Sequence, residues 1–171
     1  MYKRDAARLA RTYKMNEVDF TKVGKVIGEG AHGRVYQYGR GKVIKFSWSD
    51  FDNDVKDMTE LISVVKRFKA IPKIYNFGAH WGADPFYWVI MERLPKAITK
   101  SKDLRMMYFL TEMVYGRGSL RGLIEPWKSL GRSLLRLDRA YGYQHDDMHE
   151  GNVMFDRDGN PKLIDLESFL M

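Results

Sequence analysis

Three short runs rich in Val, Ile and Tyr, at residues 21–27, 34–38 and 42–46, are separated by glycine-bearing reversals, and this pattern constrains the fold more than any other feature of the chain. Strand-forming runs this short, joined by glycine turns, read as strand, turn, strand, turn, strand. Gly39 and Gly41 bracket the second reversal. A helix is expected next, over 51–68, with Ser49 or Asp50 as its cap and Val55, Met58, Leu61, Ile62 and Val65 as its apolar stripe. Pro72 bars its continuation. Two further strands, at 73–77 and 86–92, bring residues 21–92 to five strands and one helix.

The second half reads differently. Helices are expected at 101–114 and 126–141, the latter with Pro126 in its first turn, Trp127, Leu130, Leu134, Leu137 and Tyr141 as a buried stripe, and Gly142 at its end. A polar segment, 145–151, leads into a strand at 152–155. The strong turn Asp156-Arg157-Asp158-Gly159-Asn160 then reverses the chain into a last strand at 162–165, making a hairpin. Composition shifts near Leu94-Pro95. The expected organisation is a basic helical extension (1–20), a strand-rich lobe (21–94) and a mostly helical lobe (95–171), an α+β fold. In the extension, Tyr2, Ala6, Leu9, Ala10 and Tyr13 recur at helical spacing among Lys3, Arg4, Arg8, Arg11 and Lys14. We read it as a solvated helix packed on the domain; a membrane-surface helix, a nucleic-acid helix and a transit peptide are the alternatives.

The 171 residues include no cysteine, which excludes disulfides and Cys-zinc sites and fits a reducing, cytoplasmic setting. No apolar run approaches the ~18–20 residues of a membrane span. The net charge of +7 favours polyanionic partners: nucleotides, nucleic acid, acidic proteins or anionic lipid.

Four motifs bear chemistry. Gly28-Glu29-Gly30-Ala31-His32-Gly33-Arg34-Val35 fits G-x-G-x-x-G-x-V, in which glycines let backbone amides approach phosphate. A dinucleotide fold needs such a loop to open a helix; this one opens a strand, as in a hairpin that covers the phosphates of ATP, although a plain β-turn also favours glycine. Val43-Ile44-Lys45 puts a lysine in an apolar strand, where it can reach α/β-phosphates or simply snorkel at the edge. Glu60, in the middle of the following helix, is the carboxylate chosen to orient it, with Asp57 and Asp54 as rivals. The strand Trp88-Val89-Ile90-Met91-Glu92-Arg93-Leu94 runs into a proline and reads as a connector between lobes.

The fourth motif is His145-Asp146-Asp147-Met148-His149-Glu150-Gly151-Asn152-Val153-Met154. Asp147 and Asn152 are five apart in a polar loop, and Leu163-Ile164 delivers Asp165 thirteen residues after Asn152. A carboxylate to accept a hydroxyl proton, with Asn and Asp oxygens for Mg²⁺ or Mn²⁺, is the set that phosphoryl transfer requires. The competing metal reading pairs His145 and His149 beside Glu150 as zinc ligands; it needs a helix and a third ligand, for which His80 and His32 are the candidates. His145 is better read as structural, its ring bonded to backbone.

In order and approximate spacing, these elements resemble the protein-kinase-like superfamily over residues 21–168. The resemblance implies a bilobal fold with ATP as phosphate donor. Gly28, Gly30, Gly33 and Val35 would form the glycine-loop side of the nucleotide site, and Lys45 would bind phosphates with Glu60 as its partner. Backbone groups near Glu92 and Leu94 would meet the adenine edge, with Met91 lining the pocket. Asp147 falls at the catalytic Asp of H-R-D, Asn152 at the second metal ligand and Asp165 at the Asp of D-F-G. The departures are Asp146 for the Arg of H-R-D, Asp165-Leu166-Glu167 for D-F-G, and His149 where serine/threonine kinases carry Lys. The string H-x-D-x-H-x-G-N is similar to aminoglycoside and choline phosphotransferases. Residues 147–154 also resemble the catalytic loop of the early protein kinases of T-odd lytic bacteriophages. With Met171 only six residues beyond Asp165, the expected second lobe is reduced, lacking an activation segment. The resemblance thus implies a minimal serine/threonine protein kinase acting on host proteins in the host cytoplasm. A small-molecule kinase, and a pseudokinase binding a host protein or nucleic acid, are the alternatives.

Overall fold

The computed structural model describes residues 17–30, 33–49, 52–82 and 84–170, so the stretch expected as a basic helix at 2–14 lies outside the described residues. The fold is mixed α+β. Strands β1 (Val23–Glu29), β2 (Gly33–Tyr38), β3 (Lys42–Trp48), β4 (Ile74–His80) and β5 (Phe86–Glu92) form one antiparallel sheet in the order β1-β2-β3-β5-β4. The helices are α1 (Asp52–Val65), α2 (Ser101–Val114) and α3 (Trp127–Tyr141). None of the described helices is long and apolar enough to cross a membrane.

The chain divides into two compact units, formed by the described parts of Met1–Val64 with Lys73–Arg93, and of Val65–Pro72 with Leu94–Met171. In the first, alternation along the strands sends Tyr36, Tyr38, Ile44, Phe46, Phe86, Trp88 and Ile90 into one core, joined by Val18. Phe46, Phe86 and Trp88 are fully buried there. The first strand begins two residues later than the sequence suggests. Asp19 folds residues 20–22 into a 3-10 turn by accepting from Thr21 N at 3.1 Å, while Lys22 N donates to Asp19 O at 3.0 Å. In α1, Val55, Leu61, Ile62 and Val65 are buried as expected and Met58 is half-buried. That helix stops at Val65, short of 68, because Phe68 N turns back to Val65 O at 2.9 Å.

In the second unit, α2 occupies the expected 101–114. α3 starts one residue later than expected, with Pro126 at its cap, the Pro126 carbonyl accepting from Ser129 N at 3.1 Å. Trp127, Leu130, Leu134 and Leu137 are buried, but Tyr141 is 46% exposed and meets Phe68 edge-on at 6.1 Å, so the apolar stripe ends at Leu137. Gly142 closes the helix at φ 73°, a left-handed conformation that glycine adopts without cost.

The hairpin is formed by β8 (Val153–Phe155) and β9 (Pro161–Leu163), extended on one side by β6 (Lys96–Ala97). Its turn is built on Asp156, whose Oδ1 accepts from Asn160 N at 2.8 Å and Asp158 N at 3.0 Å. A separate pair joins β7 (Gln144–His145) to β10 (Phe169–Leu170). The two-residue strands β6, β7 and β10 have no counterpart among the expected elements, since so short a run has no periodicity to read.

Candidate functional site

In the first unit, the register sets Gly28 opposite Val35, Val35 opposite Lys45, Lys45 opposite Val89, and Val89 opposite Phe77. Directly opposed residues of an antiparallel sheet share a face, so Val35, Lys45 and Val89 line up on the face that does not feed the aromatic core. Val43 and Met91, also opposed, lie two positions along on the same face. Lys45 is half-buried, while Val43, Val89 and Met91 are buried. Gly28, Gly33, the strand lysine and Met91 therefore belong to one surface of one sheet.

The glycines of that motif differ in what they are for. A Cβ on Gly33 would stand 2.4 Å from Phe46 O and 2.7 Å from Ser47 Oγ, so the approach of β3 excludes any side chain there. A Cβ on Gly28 would make ordinary contact with Val35, its nearest atom being 3.6 Å away. A Cβ on Gly30 would meet nothing within 4 Å, and the φ of Gly30 is not in the left-handed region. Among the described residues, packing thus accounts for Gly33 and gives no reason for Gly30.

The carboxylates considered for Lys45 stand as follows. Glu60 lies on an exposed face of α1, 3.9 Å from Lys56 Nζ. Asp54 accepts from Ser49 Oγ at 2.5 Å, and Asp57 is exposed. At the end of β5, Glu92 N donates to Lys73 O at 2.8 Å and Arg93 N to Gly41 O at 3.0 Å, so both amides are engaged. Leu94 is buried in the second unit.

In the second unit, residues 145–152 form a braced loop. His145 pairs with Phe169 across β7 and β10, and Asp146 N donates to Ser168 O at 2.9 Å. The His145 ring is buried, stacks edge-on against Phe169 at 5.0 Å, and meets Asp165 O through Nε2 at 2.9 Å. This is the backbone role expected of it. Burial pushes its pKa down, partly offset by the Asp165 carbonyl and the nearby acidic charges. Nδ1 is buried without a hydrogen-bond partner.

Asp147 and Asn152 meet directly. Asn152 Nδ2 donates to the Asp147 carbonyl at 2.9 Å and to its Oδ2 at 3.2 Å. His149 Nε2 lies 3.3 Å from the same Oδ2. Gly151 N donates to His149 Nδ1 at 3.0 Å, which makes Nδ1 an acceptor and puts the proton of the neutral ring on Nε2, toward Asp147. Ile164 N donates to Asn152 O at 2.9 Å, so the hairpin ladder brings the backbone preceding Asp165 alongside Asn152. Asp165 in turn accepts from Ser168 Oγ at 2.9 Å through Oδ2. Two residues that the sequence does not flag hold the loop from α2 and its end. Tyr115 Oη donates to Asp146 O at 2.5 Å and accepts from Met148 N at 3.4 Å, and Thr111 Oγ1 reaches Met148 O at 3.4 Å. Tyr115 lies 31 residues before Asp146, with no local pattern to betray it.

The departures from D-F-G have a local account. Leu166 is buried, and Leu166–Ser168 form a 3-10 turn whose backbone asks for no glycine, so Glu167 is accommodated. The helix that the zinc reading needs is not formed, and His32, one of its third-ligand candidates, lies outside the described residues. His145 is in a strand and His149 caps a 3-10 turn, so they do not share a helix face. Among the described residues no group of three or more His, Cys, Asp or Glu is arranged to hold a metal ion.

No protein-family model matches the chain, and no curated protein matches it significantly.

Proposed function

We propose that this protein is an ATP- and Mg²⁺-dependent phosphotransferase of protein-kinase-like, bilobal design that transfers the γ-phosphoryl group to a hydroxyl, foremost Ser or Thr of proteins. The observation that carries the reading is the Asp147–Asn152 contact within a loop tied to Asp165. The contact fixes Oδ2 of Asp147 with two donors and orients the carboxylate to accept the proton of an acceptor hydroxyl. With Nδ2 engaged on Asp147, Asn152 has Oδ1 as its ligand atom; with a carboxylate oxygen of Asp165 it offers two hard oxygens. That donor set fits Mg²⁺ or Mn²⁺, which bind through one or two protein oxygens plus phosphate and water and do not need a cage of carboxylates. Bound there, the metal would neutralise developing phosphate charge.

The sheet face of the first unit supports the donor side of the same reading. Lys45 stands in a line with Val35 and Gly28, where an ammonium suits phosphate, and Val43, Val89 and Met91 beside it suit an adenine ring. The Glu92 and Arg93 amides are engaged within the first unit and are not offered to an adenine edge. The acceptor follows from the resemblance to phage kinases: host proteins, in the cytoplasm. Incubation with γ-labelled ATP, Mg²⁺ and bacterial lysate tests the reading. Protein labelling is expected, falling by about 10²–10⁴-fold in Asp147→Ala and lost in Asp165→Ala. Full labelling by both variants would falsify it. Labelling of an aminoglycoside but of no protein would move the acceptor to small molecules, and ATP binding without transfer would make the chain a pseudokinase.

A further inference from the structure

A groove of about 320 Å³ runs along α3, lined by Leu120, Arg132, Leu135, Arg136, Arg139 and Ala140. It shares no residue with the loop at 145–152. Arg132, Arg136 and Arg139 fall at i, i+4 and i+7, within about 60° of arc and about 10 Å along the helix. Two of the three guanidinium groups are already oriented. Arg132 bonds Glu125 Oε1 at 2.5 Å, and Arg136 lies over the Phe68 ring at 5.7 Å, itself set against Tyr141. Glu125 is the carboxylate that meets this arginine row, through Arg132; Asp138, the only acid within α3, accepts from Gln144 Nε2 at 3.0 Å. The Arg132–Glu125 pair is more than half exposed on both sides, so a ligand carboxylate can replace Glu125 at little cost.

The geometry points to a docking groove for an acidic peptide segment that carries an aliphatic side chain. Positive charge along the rim calls for carboxylates, and the aliphatic carbons of Leu120, Leu135 and Ala140 call for an apolar side chain between them. In an extended peptide, acids three residues apart are separated by about 10 Å, matching the arginine row. Nucleic acid fits less well, because the groove lining contains no aromatic ring on which a base could stack.

The test uses the full chain and fluorescence anisotropy of a labelled peptide with the core Asp-Asp-Leu-Asp-Asp. Binding is expected to weaken with salt, to weaken when the peptide Leu is replaced by Ser, and to vanish for the Asn-for-Asp peptide. Loss of two exposed charge contacts predicts roughly tenfold weaker binding to the Arg136→Gln/Arg139→Gln variant. Arg139→Glu serves as the second variant, expected to weaken binding by itself. Lys96→Gln, an exposed cation on β6, is the control for general charge loss and is expected to bind like wild type. Unchanged affinity in both arginine variants overturns the inference, as does an equal loss in Lys96→Gln. Displacement of the peptide by oligo-dT at lower concentration than by unlabelled peptide would also overturn it, in favour of nucleic acid.

Discussion

Substituting the glycines of the 28–33 motif one at a time separates architecture from ligand binding. A Cβ at Gly33 would sit 2.4 Å from Phe46 O, where a carbon–oxygen contact needs a little over 3 Å, so β2 and β3 must part by most of an ångström. Both strands are central: Gly33 is opposite Ser47 and Arg34 opposite Phe46, and Phe46 is fully buried. Overpacking of this kind costs about 1–3 kcal/mol. Reduced unfolded-state freedom returns at most about 1 kcal/mol. A net loss of about 1–2 kcal/mol lowers Tm by roughly 2–8 °C in a chain of this size. Gly30→Ala is the opposite case. Its Cβ enters open space and its φ needs no glycine, so Tm is expected to stay at the wild-type value or rise slightly. If the loop covers phosphate, that same methyl group obstructs the approach of the ligand to the backbone, and the KM for ATP rises several-fold. Thermal unfolding by circular dichroism and ATP titration of phosphoryl transfer measure the two effects. A wild-type Tm for Gly33→Ala would refute the steric argument. A destabilised Gly30→Ala, or one with wild-type KM, would return the motif to an ordinary turn.

Two further predictions concern the loop at 145–152. His145 is buried with its pKa below the usual imidazole value, so the unfolded chain binds a proton more readily than the folded one. Stability is therefore complete above about pH 6.5 and declines as pH falls from there toward the lowered folded value; melting at stepped pH should show this decline, and His145→Gln should flatten it. Tyr115→Phe removes the hydroxyl that joins Asp146 O to Met148 N, and is expected to cost about 1 kcal/mol of stability while lowering phosphoryl transfer more than tenfold. Equal small losses in both readouts would reduce Tyr115 to a packing residue.

Whatever repeats locally is legible in the sequence. The bounds of β5 and α2 can be read to the residue because an uninterrupted apolar run and a helical stripe are local signals. The start of β1 cannot, because Asp19 caps a 3-10 turn, a side-chain choice with no periodicity behind it. Spacing alone assigns Tyr141 to the core, whereas its exposed ring takes a place beside Phe68, 73 positions away. The site divides along the same line. Asp147 and Asn152 are close in sequence and read as partners, and they touch. The brace from Tyr115 depends on how α2 folds back on the loop, which no local spacing encodes. The departure Leu166-Glu167 has a local structural account. Glycine is required after an acidic metal ligand only where the backbone turns through positive φ. Here Asp165 precedes a 3-10 turn held by the Phe169 amide on Leu166 O, so a glutamate fits and the carboxylate of Asp165 keeps its place beside Ser168. A Glu167→Gly substitution therefore loosens that turn, and under the proposed function it is expected to leave metal-dependent transfer no higher than wild type. A gain in transfer would mean that the turn is strained and that the departure does weaken the site.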